Sequence, residues 1–352
     1  MYDHDIIIIG AGISGLTCAK ILSDNNKKYL LLESQSDVGG RMSTDLVGDH
    51  QLDRGFQVFI KGYPLYDAVT DVKQLPLHSF SPGASIRINN RFYKVVDPFR
   101  NIIEGFKSIF TPIGSFIDKL KILKLRISLL LKKTDNTKNN ISTYNYLKQN
   151  GFSDEMINNF FIPFFGSVLL DQDLSTVKST FETIYKAMSS DDICLLENGI
   201  ADFPKSIYNQ LPKDQFSFNT EVISIENHRV SFADGSSTTS KSIVLATDAS
   251  TASNLTQLFE APQYCGTTCL YFATSKKLIK EPMIITNAGG GLINTICCLT
   301  NINPSYSSQN LISVNVNQIL YNTSQEEIVD AINLELISWF PGISVDFIRL
   351  YE

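Results

Sequence analysis

This chain has few of the residues that build metal centres and acid–base sites. It contains four histidines, and none lies near a motif that would make it a general base. Its six cysteines form no CxxC pair, which disfavours zinc and is typical of a protein kept in a reducing, intracellular setting. We therefore expect no metal site, and the sequence offers no candidate catalytic residue.

Excess positive charge and long apolar runs are also absent. The net charge of -6 gives no reason to expect a nucleic-acid partner. No secretory signal precedes the first apolar segment, and no run reaches the roughly 18 apolar residues that span a bilayer. With 43% hydrophobic residues the chain is not mostly disordered. We expect a cytoplasmic globular protein, with attachment to a membrane surface left open.

A glycine-rich turn follows the first apolar segment. Residues 6–9 are four isoleucines, which is typical of a strand buried on both faces of a parallel sheet. Gly10, Gly12 and Gly15 then have the GxGxxG spacing, and residues 13–21 have a helical pattern. The first glycine permits a tight turn, the second lets a pyrophosphate approach the backbone, and the third lets helix and strand pack closely. A turn without any ligand would have the same pattern, so the motif alone is weak evidence.

The following residues favour a nucleotide. A second strand is predicted at residues 29–32 and ends at Glu33, where a carboxylate binds the hydroxyls of an unphosphorylated ribose. Next, Gly39 and Gly40 allow another close approach to the backbone, and Arg41 supplies a planar cation suited to phosphate. Nicotinamide dehydrogenases do not need this second element.

The combination resembles the FAD-binding start of the amine oxidase and phytoene desaturase superfamily. The segment LDRGFQVFIKGYP at residues 52–64 is similar to the one beside the flavin ring in carotene desaturases. The shared positions are Asp53, Gly55, Phe59, Tyr63 and Pro64. Farther on, residues 195–207 resemble the segment that re-enters the FAD domain. Val222 and Ile223 match the strand that touches adenine, and residues 243–247 match a strand that returns to the nucleotide sheet.

This resemblance implies a fold, a cofactor and a set of contacts. The fold class is α/β (α+β overall), with a Rossmann-like FAD-binding domain, a β-meander that turns at residues 233–235, and a mixed helical and sheet substrate domain. The FAD domain would comprise residues 1–80 and 195–260, and the substrate domain residues 81–194 and 261–352. The implied FAD contacts are Gly10, Gly12, Ile13, Ser14, Gly15, Glu33, Gly39, Gly40, Arg41, Gly55, Phe56, Gln57, Val58, Val222 and Ala246.

Residues 81–194 have mainly helical patterns, interrupted at Pro112, Gly114, Gly151 and Pro163. One helix, at 116–133, is basic and amphipathic, which is typical either of a helix packed between layers of its own domain or of one lying on an anionic membrane. We favour the packed helix. A polar loop is predicted at 134–140. The aromatic residues of 160–165 are interpreted as core rather than as the wall of a substrate cavity.

The last third is predicted to form mostly strands that floor a substrate cavity. Cys297 and Cys298 are expected to be inert buried thiols on one strand. A helix is predicted at 324–340, with Ser324 as its N-cap.

The resemblance further implies that the chain lacks the C-terminal segment with which related flavoproteins complete the FAD domain. That would leave part of the nucleotide sheet uncovered and favour self-association. The expected function is FAD-dependent removal of a hydride from an apolar or amine-bearing small molecule. Lys276 and Lys277 do not align convincingly with the lysine near the flavin of monoamine oxidases. The alternatives are a lipid- or isoprenoid-binding protein without flavin, a truncated inactive homologue, and the disfavoured nicotinamide dehydrogenase.

Overall fold

The structure, a computed structural model, describes residues 2–108, 110–131, 141–316 and 323–352. In chain order the strands are β1 His4–Ile9, β2 Leu30–Leu32, β3 Thr44–Val47, β4 His50–Asp53, β5 Phe59–Ile60, β6 Leu77–Ser79, β7 Gly83–Ile88, β8 Arg91–Val96, β9 Ile193–Leu196, β10 Phe216–Ser217, β11 Val222–Glu226, β12 Arg229–Phe232, β13 Ser237–Leu245, β14 Thr268–Thr274, β15 Ile284–Asn287, β16 Ile293–Cys298, β17 Asn310–Val316 and β18 Val345–Tyr351. The helices are α1 Ile13–Asp24, α2 Ile102–Ser108, α3 Phe116–Leu131, α4 Thr143–Gln149, α5 Asp154–Met156, α6 Ser167–Leu169, α7 Lys178–Ser190, α8 Asp202–Tyr208, α9 Ala249–Thr256, α10 Leu299–Ile302 and α11 Gln325–Trp339, with a π-helix at Ile157–Gly166 between α5 and α6. Short 3₁₀ turns lie at Tyr66–Ala68, Val72–Gln74, Lys213–Gln215 and Pro304–Tyr306.

The chain divides into two compact units. Unit 1 comprises Met1–Asp45, Leu65–Pro76 and Asn198–Tyr264, and unit 2 comprises Leu46–Pro64, Leu77–Glu197 and Cys265–Glu352. These bounds differ from the predicted domains chiefly at Leu46–Pro64, which belongs to unit 2. The physical reason is pairing: β5 pairs with β9, and the buried Tyr271 hydroxyl on β14 donates a 2.8 Å hydrogen bond to the carbonyl of Asp53.

Unit 1 is built on a six-stranded sheet of order β10-β2-β1-β13-β12-β11. β10, β2, β1 and β13 are mutually parallel, and β11, β12 and β13 form the antiparallel meander. The predicted parallel strand and the predicted meander strand are one element, since β13 pairs with β12 at its start and with β1 along the rest of its length. Ile7, Ile8 and Ile9 are buried, as the isoleucine run predicted.

Unit 2 contains a seven-stranded sheet of order β18-β14-β17-β16-β15-β7-β8 and a three-stranded sheet β5-β9-β6. The prediction of helical patterns from residue 81 onward was wrong for β7 and β8. These strands form a hairpin whose turn residues Asn89 and Asn90 have φ of 48° and 61°. Asparagine tolerates this left-handed conformation, and two such residues in succession match the twist of a two-residue hairpin.

Pro163 does not interrupt its helix, contrary to the sequence prediction. It lies inside the π-helix, which continues directly from α5 into α6. Phe161 and Phe165 from this segment are buried in the core of unit 2, together with Phe181 on α7. Close packing of these rings holds the segment helical despite the local preference of proline.

α11 confirms the predicted C-terminal helix. Ser324 accepts a hydrogen bond from the Glu327 backbone N–H, and the Glu327 carboxylate accepts one from the Ser324 N–H, which completes a capping box. Cys297 and Cys298 lie on β16 and are buried, as predicted. Burial raises the pKa of Cys298 to about 12, so this thiol is protonated at neutral pH.

α3 packs against its own unit along one face only and exposes the other, so it is not packed between two layers as the favoured interpretation had it. Two apolar stripes run along α3: Leu125 and Leu129 of one stripe are buried, whereas Leu120 and Ile127 of the other are exposed. Residues 132–133 of the predicted helix and the predicted loop at 134–140 lie outside the described residues.

A buried carboxylate fixes the beginning of α3. Asp118 accepts hydrogen bonds from the backbone N–H and the hydroxyl of Ser115, at 2.9 and 2.6 Å. It also accepts them from the N–H and hydroxyl of Ser153, at 2.9 and 2.8 Å. Burial works to raise the pKa of Asp118, but these hydrogen bonds outweigh it and lower the pKa from 3.8 to about 2. The two serines thereby tie α3 to the beginning of α5.

We expect Asp118→Ala to lower the free energy of unfolding by about 2 kcal/mol at pH 7. Because the folded-state pKa lies below the unfolded one, the contribution of Asp118 is complete above about pH 4 and disappears as the pH falls towards 2. Urea denaturation at several pH values measures this loss. Asp154→Ala, which removes an exposed carboxylate paired with Lys148, is the matched control and should change stability little. Equal effects of the two substitutions would contradict the assignment.

Candidate cofactor-binding site

At two of the three glycines in the first turn of unit 1, an added side chain would collide with the backbone. Gly10 has a φ of +102°, and a Cβ there would lie 2.9 Å from the Ala246 carbonyl oxygen. A Cβ on Gly15 would lie 1.9 Å from the Gly10 carbonyl oxygen. These two glycines are therefore required for β1, α1 and the end of β13 to pack together, with or without a ligand.

Gly12 is different, because a Cβ at this position would meet nothing within 4 Å. It is the N-cap of α1, and no side chain of the described residues caps this end. The N–H groups of the first turn, which begins with Ile13 and the exposed Ser14, are thus left to water or to an anion. Packing does not require glycine at position 12, whereas close approach of a bound pyrophosphate does.

The second glycine pair lies against the first turn. Gly39 donates a 2.9 Å hydrogen bond to the Ala11 carbonyl and forms an isolated β-bridge with Gly12. A Cβ on Gly40 would lie 3.4 Å from the Gly12 Cα, and Gly40 has a φ of +58°. The two glycine turns therefore lie against each other at the start of α1, and the exposed Arg41 follows the second turn in sequence.

Glu33 is held beside the same turn. One carboxylate oxygen accepts a 2.7 Å hydrogen bond from the Ala11 N–H, and the other accepts a 2.9 Å bond from the Gln35 N–H. The Ser34 hydroxyl adds a 3.3 Å bond. Two carboxylate oxygens offer about four acceptor positions, so this fixed group retains capacity to accept hydrogen bonds from a ribose diol.

The predicted nucleotide contacts in the second half of unit 1 lie on its sheet. Ala246 follows β13 and donates a 2.9 Å hydrogen bond to the Ile9 carbonyl. Val222 begins β11, where a register shift separates it from Ser224, and its side chain packs with Ile9 and Leu32. Its backbone is the group that the family resemblance implies for contact with an adenine.

The residues of unit 1 fit an adenine dinucleotide. The space in front of Gly12 would take the pyrophosphate, Arg41 would add positive charge, and Glu33 would take the ribose. This fit rests on two observations: no protein atom lies within 4 Å of a Cβ placed on Gly12, and the Glu33 carboxylate is held by a hydrogen bond from the Ala11 N–H.

Unit 2 contains Gly55, Phe56 and Gln57, which the resemblance places along the flavin ring, and the further predicted FAD contact Val58. Gly55 has a φ of +79°, and a Cβ there would meet nothing within 4 Å. Phe56 and Val58 pack against the cluster that contains Leu52, while the Gln57 amide donates a 3.3 Å hydrogen bond to the Arg54 carbonyl. In the same unit, the Tyr306 hydroxyl lies 3.3 Å from the carboxylate of the buried Asp53.

Unit 2 contains a largely apolar cavity of about 450 Å³. Its walls come from β7 and β8, α2, α3, the π-helix and α7, and they include Val95, Ile113, Leu123, Met156, Phe160 and Phe164. Phe165 both lines the cavity and is buried in the core. The aromatic segment at 160–165 is thus core and cavity wall at once, where sequence analysis favoured core alone.

Charged groups on the cavity wall form a paired network. Asp97 pairs with Arg126, whose other nitrogen donates a 2.8 Å hydrogen bond to the Ser189 carbonyl. Arg100 pairs with Asp192 at 3.1 Å. Lys119 also lines the cavity, and burial lowers its pKa. Among the described residues that line the cavity, Asp97 is the one carboxylate, whereas Arg100, Lys119 and Arg126 are cations.

The family of the chain follows from its comparison with known proteins. A model of the flavin-containing amine oxidoreductases matches residues 13–349. This chain belongs to that family. FAD is the cofactor that this membership implies, which confirms the cofactor prediction. The mixed fold class is likewise confirmed.

Individual relatives share shorter segments. The UDP-galactopyranose mutase of Mycoplasma genitalium is 30% identical over 95 residues, which cover 27% of this chain and 18% of that protein. The 15-cis-phytoene desaturase of Narcissus pseudonarcissus is 37% identical over 62 residues, covering 17% and 11%. The matched part of the chain therefore spans less than a fifth of either relative. A solved oxidoreductase structure from Methanosarcina mazei has a TM-score of 0.75 at 18% identity, covers 98% of this chain and 87% of that one, and shows a shared fold.

Two features of this chain escaped sequence analysis. The Asp97–Arg126 pair joins a loop to a helix across 29 residues, and Arg126 is one of several cations in a basic stretch. The contacts of Tyr271 and Tyr306 with Asp53 span more than 200 residues. No local pattern distinguishes these residues from others of their type.

Among the described residues, no helix is long and apolar enough to cross a bilayer, and no group of three potential ligands is placed to hold a metal ion.

Proposed function

We propose that this chain is an FAD-dependent oxidoreductase that takes a hydride from a C–H bond of an apolar small molecule. The observation that carries this proposal is the opening in front of Gly12, which is flanked by Gly40 and the fixed carboxylate of Glu33. Family membership and the apolar cavity of unit 2 support it.

When bound, the isoalloxazine supplies the hydride-accepting centre. The chain supplies position and exclusion of water. In unit 1, Gly12, Gly40 and Arg41 would hold the pyrophosphate, and Glu33 would hold the ribose. The family resemblance implies contacts of Gly55, Phe56 and Gln57 with the ring, and names Val58 as a further FAD contact.

The charge of the cavity favours an apolar substrate over an amine. A protonated amine would meet three cations on the wall, and the Asp97 carboxylate is already paired with Arg126. A volume of about 450 Å³ lies within the range of small-molecule sites. An amine-bearing substrate, as in the family description, is the second candidate. Anaerobic reduction of the bound flavin by a panel of apolar and amine compounds decides between them.

We expect Glu33→Gln to weaken FAD binding about tenfold, because the ribose then loses a hydrogen bond to a charged acceptor. The visible absorption of protein-bound flavin after gel filtration, titrated with FAD, measures this change. Glu226→Gln, an exposed carboxylate on the same sheet, is the matched control and should bind FAD normally.

A colourless wild-type protein that ignores added FAD would overturn the proposed function. It would favour the alternative, a lipid-binding protein on this fold, whose ligand the apolar cavity of unit 2 could hold.

A further inference from the structure

The exposed apolar side chains of unit 2 are concentrated in one continuous stretch. We call the described part of this stretch, residues 99–108 and 110–131, the α2–α3 surface. Its exposed members are Phe99, Ile102, Ile103, Phe110, Phe116, Ile117, Leu120, Ile127 and Leu131. Ile103 is 72% exposed and Phe110 87% exposed. Apolar side chains clustered to this extent mark an interaction site more often than a simple solvent-facing surface.

The cavity of unit 2 reaches this surface. Phe99, Phe116 and Leu120 line the cavity, and each has at least half of its side chain exposed. The same residues therefore form both the wall of an apolar cavity and part of an apolar exterior. An apolar molecule could pass from one to the other without crossing a polar rim at these residues.

The charge of the α2–α3 surface is opposite to that of the chain. Residues 99–131 contain four lysines, two arginines and two acidic residues, in a protein of net charge -6. One of the acids is the buried Asp118. Lys107 and Lys124 are exposed among the apolar side chains. Exposed apolar groups interspersed with cations suit an anionic lipid surface.

We propose that the α2–α3 surface docks on an anionic lipid bilayer and presents the mouth of the cavity to its hydrocarbon. Entry of substrate from the bilayer rests on the function proposed above, whereas docking does not. A bilayer suits this surface better than a second copy of the chain does. A two-fold interface would place the same basic surface against itself, and like charges repel.

Co-sedimentation of the purified chain with vesicles tests the docking. We expect binding to vesicles of phosphatidylcholine with about one-third phosphatidylglycerol, and at least fivefold weaker binding to phosphatidylcholine alone. Ile103→Ser should lower partitioning onto the anionic vesicles about tenfold, because its side chain leaves water on docking. Leu334→Ser on α11 is the matched control, since Leu334 is 71% exposed outside this surface. Lys124→Glu should lower partitioning at least fivefold, and Lys280→Glu, also exposed, should not.

Equal partitioning of Ile103→Ser and Leu334→Ser would overturn the proposal, as would failure of the wild-type chain to sediment with anionic vesicles. A vesicle-free wild-type dimer that Ile103→Ser converts to a monomer would overturn it in favour of a second copy. Flavin absorption, recorded on the same samples, separates the two proposals. A chain that binds vesicles but no FAD retains the docking surface and contradicts the oxidoreductase function.

Discussion

We expect replacement of Gly12 with alanine to weaken FAD binding about 30-fold and to leave the stability of the apo-protein nearly unchanged. The added methyl group meets no protein atom within 4 Å, so the folded chain accommodates it. It does occupy the space in front of α1 that a pyrophosphate would take. The backbone at position 12 has a φ of -69°, which alanine adopts without strain. Fluorescence titration with FAD and thermal unfolding of the apo-protein measure the two effects separately.

Gly15→Ala is the matched control for Gly12→Ala. Here the new Cβ would lie 1.9 Å from the Gly10 carbonyl oxygen, so α1 must move away from β1. We expect the apo-protein to lose about 3 kcal/mol of stability, and FAD affinity to fall with it. If Gly12→Ala bound FAD as tightly as the wild-type chain, the pyrophosphate would not lie at this turn.

Phe161→Ala should lower the free energy of unfolding of unit 2 by about 3–5 kcal/mol. Phe161 is fully buried, and its ring contacts those of Phe152, Phe181 and Phe165, with centroids 4.9, 6.2 and 6.1 Å away. Removing it leaves a cavity among side chains from several helices, which cannot all close around the space. Urea denaturation followed by circular dichroism measures the loss.

Phe110→Ala is the corresponding control, since Phe110 is exposed and its removal leaves no internal cavity. We expect a change within about 0.5 kcal/mol. A Phe161→Ala protein as stable as this control would mean that the π-helix does not pack as described.

The sequence by itself determined the strand–helix–strand unit that carries the candidate cofactor site. The positions of Gly10, Gly12 and Gly15, the run of isoleucines and the acid at position 33 lie within one strand–helix–strand unit. Short-range geometry decides such a unit, because three glycines at this spacing and a buried strand permit few other backbones. The N-cap of α11 was predicted from the sequence for the same reason, since Ser324 and the Glu327 N–H that it accepts from lie within four residues.

Tertiary structure alone decided the rest of the candidate site. Leu46–Pro64 joins unit 2 through contacts with β9 and Tyr271, which are more than 130 residues away. The cavity is lined by a hairpin, a π-helix and the Asp97–Arg126 pair, which meet only after folding. α3 has two apolar stripes, and its sequence favours neither for burial. Packing against α7 covers Leu125 and Leu129 and leaves Leu120 and Ile127 exposed, because a helix on the outer side of a domain can bury only one of its faces.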